Sequence, residues 1–539
     1  MKHINQLLDR LQSHICGFFT SALYKTALGF TLLFSLLANA FVYFNVSPQH
    51  DSVNHMFEFA GTWELSLGRF LLPLYGNLQG QITTPWLIGV LSICFISLTV
   101  YVLCQLLELK KTWQVALTAG ILSANLCVTE LACVFTWALP VYMLSALFSA
   151  LGVYCLRRGS GALRYPAAVG LFLISLGLYQ AEIAFGIALL AILAVQDLMN
   201  NEEAGKVLLR YVKIGLTLIA TAVAYYVTYQ LVLRLSGIEA ADSYNSLSNI
   251  SGITLSGLAA SVKKIYAAFF RFFFGEGCFV GPVVTRVCNI ALTVLALMSL
   301  AAYLIRKGVR PANWLLILLI LPVLPGLICL LDIFMFNSRI SFYLTYSYNL
   351  YYIFLLFLLV RCGGSLVPEG RRLLAVCAAG CLCLILLQNI RFSNQLYSYR
   401  EIMYDRTVSV VTRILDRVEA AEEYRPGETE VVVIGTLRTN EELLKTLRID
   451  EKLDKNLQNN LQLRELMKRY GFNGGKVLSV TYNQTFDSFA YLLGSEINLV
   501  SDSAVTNAYA AMERVIAMPA FPRSGCCEMI DGRMVIKLS

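Results

Sequence analysis

Asp51 stands just past the end of a long apolar run, in the stretch Ser47-Pro48-Gln49-His50-Asp51-Ser52-Val53-Asn54-His55. A carboxylate held there can take a proton from a hydroxyl, and apolar surroundings raise its pKa towards that task. The same loop continues through Trp63-Glu64 to Gly68-Arg69-Phe70. Arg69 offers a planar guanidinium that suits a phosphate. Glu182 lies in Leu178-Tyr179-Gln180-Ala181-Glu182-Ile183, between two apolar runs, and Arg339 lies in Phe336-Asn337-Ser338-Arg339-Ile340. An ionisable group so close to a bilayer is a functional candidate by default. Each has a plainer role open to it: a helix cap for Asp51 or Glu182, a snorkelling anchor for Arg339. Glu130, in the other short outward turn, has a similar but weaker claim. His50 and His55 could join Asp51 around a metal, but their spacing matches no diagnostic ligand set. No metal or other cofactor is therefore assigned.

The elements that must position these residues are apolar. The chain has 539 residues, of which 57% are hydrophobic and only 14% charged, and its mean hydropathy is +0.63. A soluble chain of this length needs far more charge to cover its surface. About eleven apolar runs approach the length a bilayer demands, near 24–46, 83–107, 113–129, 134–156, 166–181, 183–199, 212–235, 287–305, 313–333, 342–360 and 373–390. Every second connection is basic: Lys110-Lys111, Arg157-Arg158 with Arg164, Lys206 with Arg210 and Lys213, Arg306-Lys307 with Arg310, and Arg361 with Arg371-Arg372. The net charge of +8 is thus read as a marker of sidedness, with no nucleic-acid partner expected. Positive-inside places these connections and the N-terminal arm in the cytoplasm. The expectation is a multi-pass protein of the cytoplasmic (inner) membrane, its loops of about 47–82 and 236–286 facing outward.

Residues 391–539 then lie outside. Short β-like runs at Glu430–Ile434, Val477–Thr481, Ile497–Val500 and Met534–Leu538 alternate with helix-like stretches such as Asp405–Glu423 and Glu441–Tyr470. That pattern predicts a small α/β domain, with Asp531-Gly532 as a turn before the last strand. The expected domains are 1–390, transmembrane and catalytic, and 391–539, extracytoplasmic. Of the 15 Cys, most sit in apolar runs as small buried thiols. Cys526 and Cys527 are adjacent and are not expected to bond to each other.

No nucleotide sugar is available outside the cytoplasm. An outward-facing transferase needs a donor already activated in the membrane, such as a polyprenyl-phosphate sugar. Its site needs a base, cations for the departing phosphate and an apolar groove. Between Leu258 and Gly277, Lys263, Lys264 and Arg271 stand among six aromatic residues. This stretch fits an interfacial helix touching membrane lipid, or a gate over the lipid groove.

The loop around Asp51, the Trp63…Gly68-Arg69-Phe70 segment, Leu178 to Ile183 and Asn337-Ser338-Arg339-Ile340 together resemble the bacterial and phage O-antigen glucosyltransferases of the Gtr serotype-converting type. So do Ser393-Asn394-Gln395, Met518-Pro519-Ala520-Phe521-Pro522-Arg523-Ser524-Gly525 and the closing Met534-Val535-Ile536-Lys537-Leu538. The order of these short motifs along nearly the whole chain carries more than any one of them. The resemblance implies a GT-C-like polytopic α-helical membrane enzyme. It would move a hexose, glucose in particular, from undecaprenyl phosphate to a surface polysaccharide, with inversion. By the same resemblance Asp51 would be the base. From their residue types and positions, Arg69 and Arg339 would hold the donor phosphate, and Glu182, His50, Trp63 and Glu64 would contact sugar or acceptor. A flippase and a carrier-charging synthase would be its companions. In many GT-C enzymes the acidic site is a pair, whereas here a single Asp51 follows His50. The alternative is a transporter or flippase for lipid-linked saccharides, which paired half-repeats and broken midplane helices would mark. No obvious repeat is present.

Overall fold

The computed structural model describes residues 17, 19–46, 48, 51–56, 61–241, 255–275, 281–333, 342–364, 367–437, 440 and 483–539; at 51, 255–260, 399 and 483–485 it describes the backbone alone. The expected strand Val477–Thr481 and helical stretch Glu441–Tyr470 lie outside the described residues, as do His50 and Arg339.

Among the described residues, nine helices are long and apolar enough to cross a membrane: Ala22–Phe44, Pro85–Leu106, Thr112–Val134, Thr136–Arg158, Gln180–Met199, Ala204–Ser236, Pro282–Arg306, Pro311–Ile328 and Pro368–Glu419. Two shorter helices, Arg164–Leu178 and Asn349–Gly363, stand where the fifth and tenth runs were expected. The chain is a multi-pass membrane protein. On Ala204–Ser236 the exposed side chains include Leu208, Val212, Leu216, Ile219 and Val223. Such an apolar outer face is stable only against lipid.

The chain divides into two compact units. The first comprises Met1–Phe44, Phe59–Ala132 and Ala138–Ser393; the second comprises Asn45–Glu58, Cys133–Trp137 and Asn394–Ser539.

In the first unit, small residues set the helix spacing, as helices in lipid require. A Cβ on Gly152 would come within 2.7 Å of the Phe172 ring. The Ser145 hydroxyl donates across to the Ser175 and Tyr179 carbonyls at 2.9 and 3.0 Å. The third crossing element breaks at Asn125. Its amide donates to the carbonyls of Ile121 and Leu122 at 3.0 and 2.9 Å, and its side-chain oxygen accepts from the Val128 N–H at 3.0 Å. One side chain thus closes the helix Thr112–Ser123 and opens Leu126–Val134. Glu130 therefore lies inside a helix, 2% exposed. That corrects its expected place in an outward turn.

The second unit is built on a four-stranded sheet, β1 (Glu430–Ile434), β2 (Asn498–Leu499), β3 (Cys527–Ile530) and β4 (Arg533–Lys537), in the order β2-β1-β4-β3. β1 runs parallel to both β2 and β4, and β3 pairs antiparallel with β4. The β3–β4 turn has Asp531 and Gly532 at φ 50° and 76°, the left-handed pair that a two-residue hairpin needs. Alternate residues face opposite ways along each strand. Val431, Val433, Met534 and Ile536 pack with Val410, Ile414, Phe486 and Phe489, while Val432, Ile434 and Val535 pack with Tyr509, Val515 and Met518. The Phe521 ring of the Met518–Gly525 motif is fully buried, with the Arg413 and Arg417 guanidinium groups 5.2 and 4.9 Å from its centre. Cys526 and Cys527 are free thiols.

Candidate functional site

Asp51 opens the short helix Asp51–Asn54 in the second unit. Its neighbours fix that backbone. The Ser52 hydroxyl donates to the Val134 carbonyl at 2.7 Å. Val53 is 2% exposed in the core that holds Val410, Phe486 and Phe489. The His55 ring lies 4.1 Å from that of Trp137. Residues of the tail thus anchor a helix that precedes them by more than 300 positions. The Asp51 side chain is outside the description.

The first unit holds a second group of candidates around the turn Gln180–Glu182, a 3-10 turn between Arg164–Leu178 and Ile183–Met199. Gln180 ties this turn to the preceding loop: its amide donates to the Leu67 carbonyl at 2.7 Å and to the Tyr225 hydroxyl at 2.9 Å. Tyr225 in turn donates to the Gly68 carbonyl at 3.1 Å, and Tyr229 to the Ser66 carbonyl at 2.5 Å. Gly68 has φ 82°, and a Cβ there would sit 2.2 Å from the Tyr225 hydroxyl. No other residue fits that place. These bonds carry Arg69 to the turn, with its guanidinium carbon 4.9 Å from the centre of the Tyr179 ring. Tyr179 lies against Tyr142 at 3.8 Å between ring centres.

Glu182 is 1% exposed. Among the described residues its carboxylate has no hydrogen bond and no ion pair. A buried charge without a partner is expensive. Glu182 and Glu130 both lie within electrostatic reach of Cys127, and the Tyr343 N–H donates to Glu130 Oε2. The structure therefore gathers Arg69 with Tyr142, Tyr179 and Tyr343, and Glu182 with Glu130 around Cys127, the Glu130 bond to Tyr343 linking the two sets. Glu64 has a different job: it is 4% exposed and accepts from the Gly61 N–H at 2.8 Å, capping Thr62–Ser66. Trp63 on the same helix is exposed.

A third group escaped the sequence reading. Asp332 lies beyond the end of Pro311–Ile328, in the 3-10 turn Leu330–Ile333, and is 3% exposed. The Tyr348 hydroxyl donates to it. Lys264 and Arg271 of the helix Leu255–Phe274 lie within its electrostatic reach. The signal available was a lone Asp at the end of an apolar run, the same signal that singled out Asp51. Lys264 and Arg271, expected to touch lipid or to gate the lipid groove, thus also face a carboxylate; Lys263 is exposed on the same helix. Burial pushes the Asp332 carboxyl up to about 6, while Tyr348, Lys264 and Arg271 pull it down. A carboxyl whose folded pKa is raised stabilises the fold below its unfolded pKa, and that contribution is lost as pH rises through about 6. The thermal midpoint of the purified protein should therefore fall between pH 4 and pH 6. Asp332→Asn should flatten that part of the profile; an unchanged slope would remove Asp332 as its source.

Among the described residues no group of three or more His, Cys, Asp or Glu is placed to hold a metal. Compared with known proteins, residues 40–360 match a family model described as glucosyl transferase GtrII. No curated protein and no solved structure matches the chain.

Proposed function

The chain belongs to the GtrII glucosyl transferase family and is a membrane glycosyltransferase, and from that premise we propose that it takes glucose from a polyprenyl-phosphate carrier and adds it to a cell-surface polysaccharide on the outer side of the cytoplasmic membrane. The family implies a sugar donor and a glycan acceptor. The alternation of basic loops supports an outward site, where lipid carriers are the source of activated sugar. A flippase and a carrier-charging synthase would supply the donor.

In this reading an acceptor hydroxyl oxygen attacks the anomeric carbon. The bond from that carbon to the phosphate oxygen breaks, and polyprenyl phosphate leaves with the electron pair. Asp51 takes the hydroxyl proton. Arg69 and Arg339 stabilise the charge on the leaving phosphate. Glu182 accepts hydrogen bonds from the sugar, with His50 and Trp63 as further contacts. Displacement in one step inverts the anomeric configuration.

The observation that carries this reading is Glu182, a carboxyl group buried three residues beyond the Tyr179 ring on which Arg69 lies, with no hydrogen bond or ion pair from the described chain. Such a group is retained when a ligand completes it. Membranes containing the protein and its acceptor polysaccharide should transfer label from polyprenyl-phosphate glucose. They should transfer none from a nucleotide glucose once the carrier-charging synthase is removed. Equal transfer from the nucleotide sugar would reject the donor assignment.

A further inference from the structure

Four helices meet at a cavity of about 110 Å³ in the first unit. The parts that meet are the end of Thr136–Arg158, the start of Arg164–Leu178, the later half of Gln180–Met199 and the first turns of Ala204–Ser236. Arg157, Arg164, Arg210 and Tyr211 line it together with leucine and isoleucine side chains. The charges do not cancel. Arg157 and Arg210 both pair with Asp197, whose side chain is fully buried, and Arg210 also pairs with Glu202 at 2.7 Å. Arg164 has no carboxylate among the described residues. Its guanidinium lies 4.9 Å from the Tyr165 ring centre, one Nη donates to the Tyr165 hydroxyl at 2.9 Å, and its Nε is buried with no hydrogen-bond partner. Three guanidinium groups thus face two carboxylates, leaving one positive charge and an unused donor.

We propose that this cavity binds the phosphate headgroup of an anionic phospholipid. The guanidinium fork matches phosphate oxygens, and basic pockets between membrane helices take anionic headgroups by the same chemistry. The cavity is far below the roughly 300 Å³ of pockets that enclose a drug-sized ligand, so it suits one phosphate and not a glycosylated headgroup. Leu163, just before Arg164–Leu178, and Leu208 and Leu209 of Ala204–Ser236 neighbour lining residues in sequence and are exposed, an apolar surface on which acyl chains would lie. The site is separate from the residues assigned to transfer and stands whether or not that assignment holds.

Native mass spectrometry of the full-length protein, released from mixed micelles, tests this. One phosphatidylglycerol per chain should be retained where phosphatidylcholine is lost. Arg164→Gln should weaken retention by about tenfold, the size of one charge-assisted hydrogen bond. Lys213→Gln, an exposed charge outside the cavity lining, should leave it unchanged. Equal retention of both lipids, or full retention by Arg164→Gln, would overturn the proposal. Displacement of phosphatidylglycerol by millimolar inorganic phosphate would reassign the cavity to free phosphate and overturn the lipid assignment. Should Arg164→Gln fail to fold, the comparison of the two lipids on the unaltered protein still decides.

Discussion

Asp51→Asn should lower glucosyl transfer by about 10²–10⁴-fold, the usual contribution of a general base, while the protein still accumulates in the membrane. The substitution leaves the anchors of the helix untouched, because Ser52 still bonds to Val134 and Val53 stays in its core. Asn also starts a helix as well as Asp does. What is lost is a group able to hold the acceptor proton. The pH profile separates that loss from a change of shape. Transfer by the unaltered protein should fall at low pH as Asp51 is protonated, and the residual activity of the variant should lack that limb. Undiminished transfer by Asp51→Asn, with normal insertion, would end its assignment as base.

Glu182→Gln should act in two opposite directions. Transfer should drop by about 10–100-fold, because a hydrogen bond to a charged acceptor contributes about 1.5–3 kcal/mol and about 1.4 kcal/mol is tenfold. The thermal midpoint should hold or rise above neutral pH, because the amide never has to ionise in a site that is 1% exposed, whereas the carboxyl there either holds its proton or carries a charge without a partner. Opposed changes in stability and activity mark a group kept for binding. A fall in both would make Glu182 a structural residue. Measuring transfer and thermal midpoint on one preparation distinguishes the two.

The crossing helices were legible because each is a run near the length of a bilayer. The family was legible from short motifs in order along the chain, and the tight turn at Glu182 from the two apolar runs that meet there. The break at Asn125 was not. It depends on one side chain satisfying backbone groups of two helices, and a hydropathy run carries no trace of it. Glu130 was misplaced for the same reason: a lone charge reads as a turn unless its buried partner, here the Tyr343 N–H more than 200 positions away, is visible. Glu64 was read as a ligand contact because its use as a cap depends on the start of a five-residue helix. Asp332 was passed over inside an expected span of 313–333. The helix in fact stops at Ile328, where Cys329 and a 3-10 turn take over. Burial of Val53 among Val410, Phe486 and Phe489 joins segments too distant in sequence for periodicity to connect.

That junction constrains biogenesis. The ribosome makes Val53 about 480 residues before the last of its packing partners, in β4. At roughly 5–20 residues per second, the segment waits on the order of half a minute or longer for its neighbours. During that interval nascent chains already threaded into the bilayer carry an immature Asp51 turn, and a protease or holdase on that side of the membrane would meet it first.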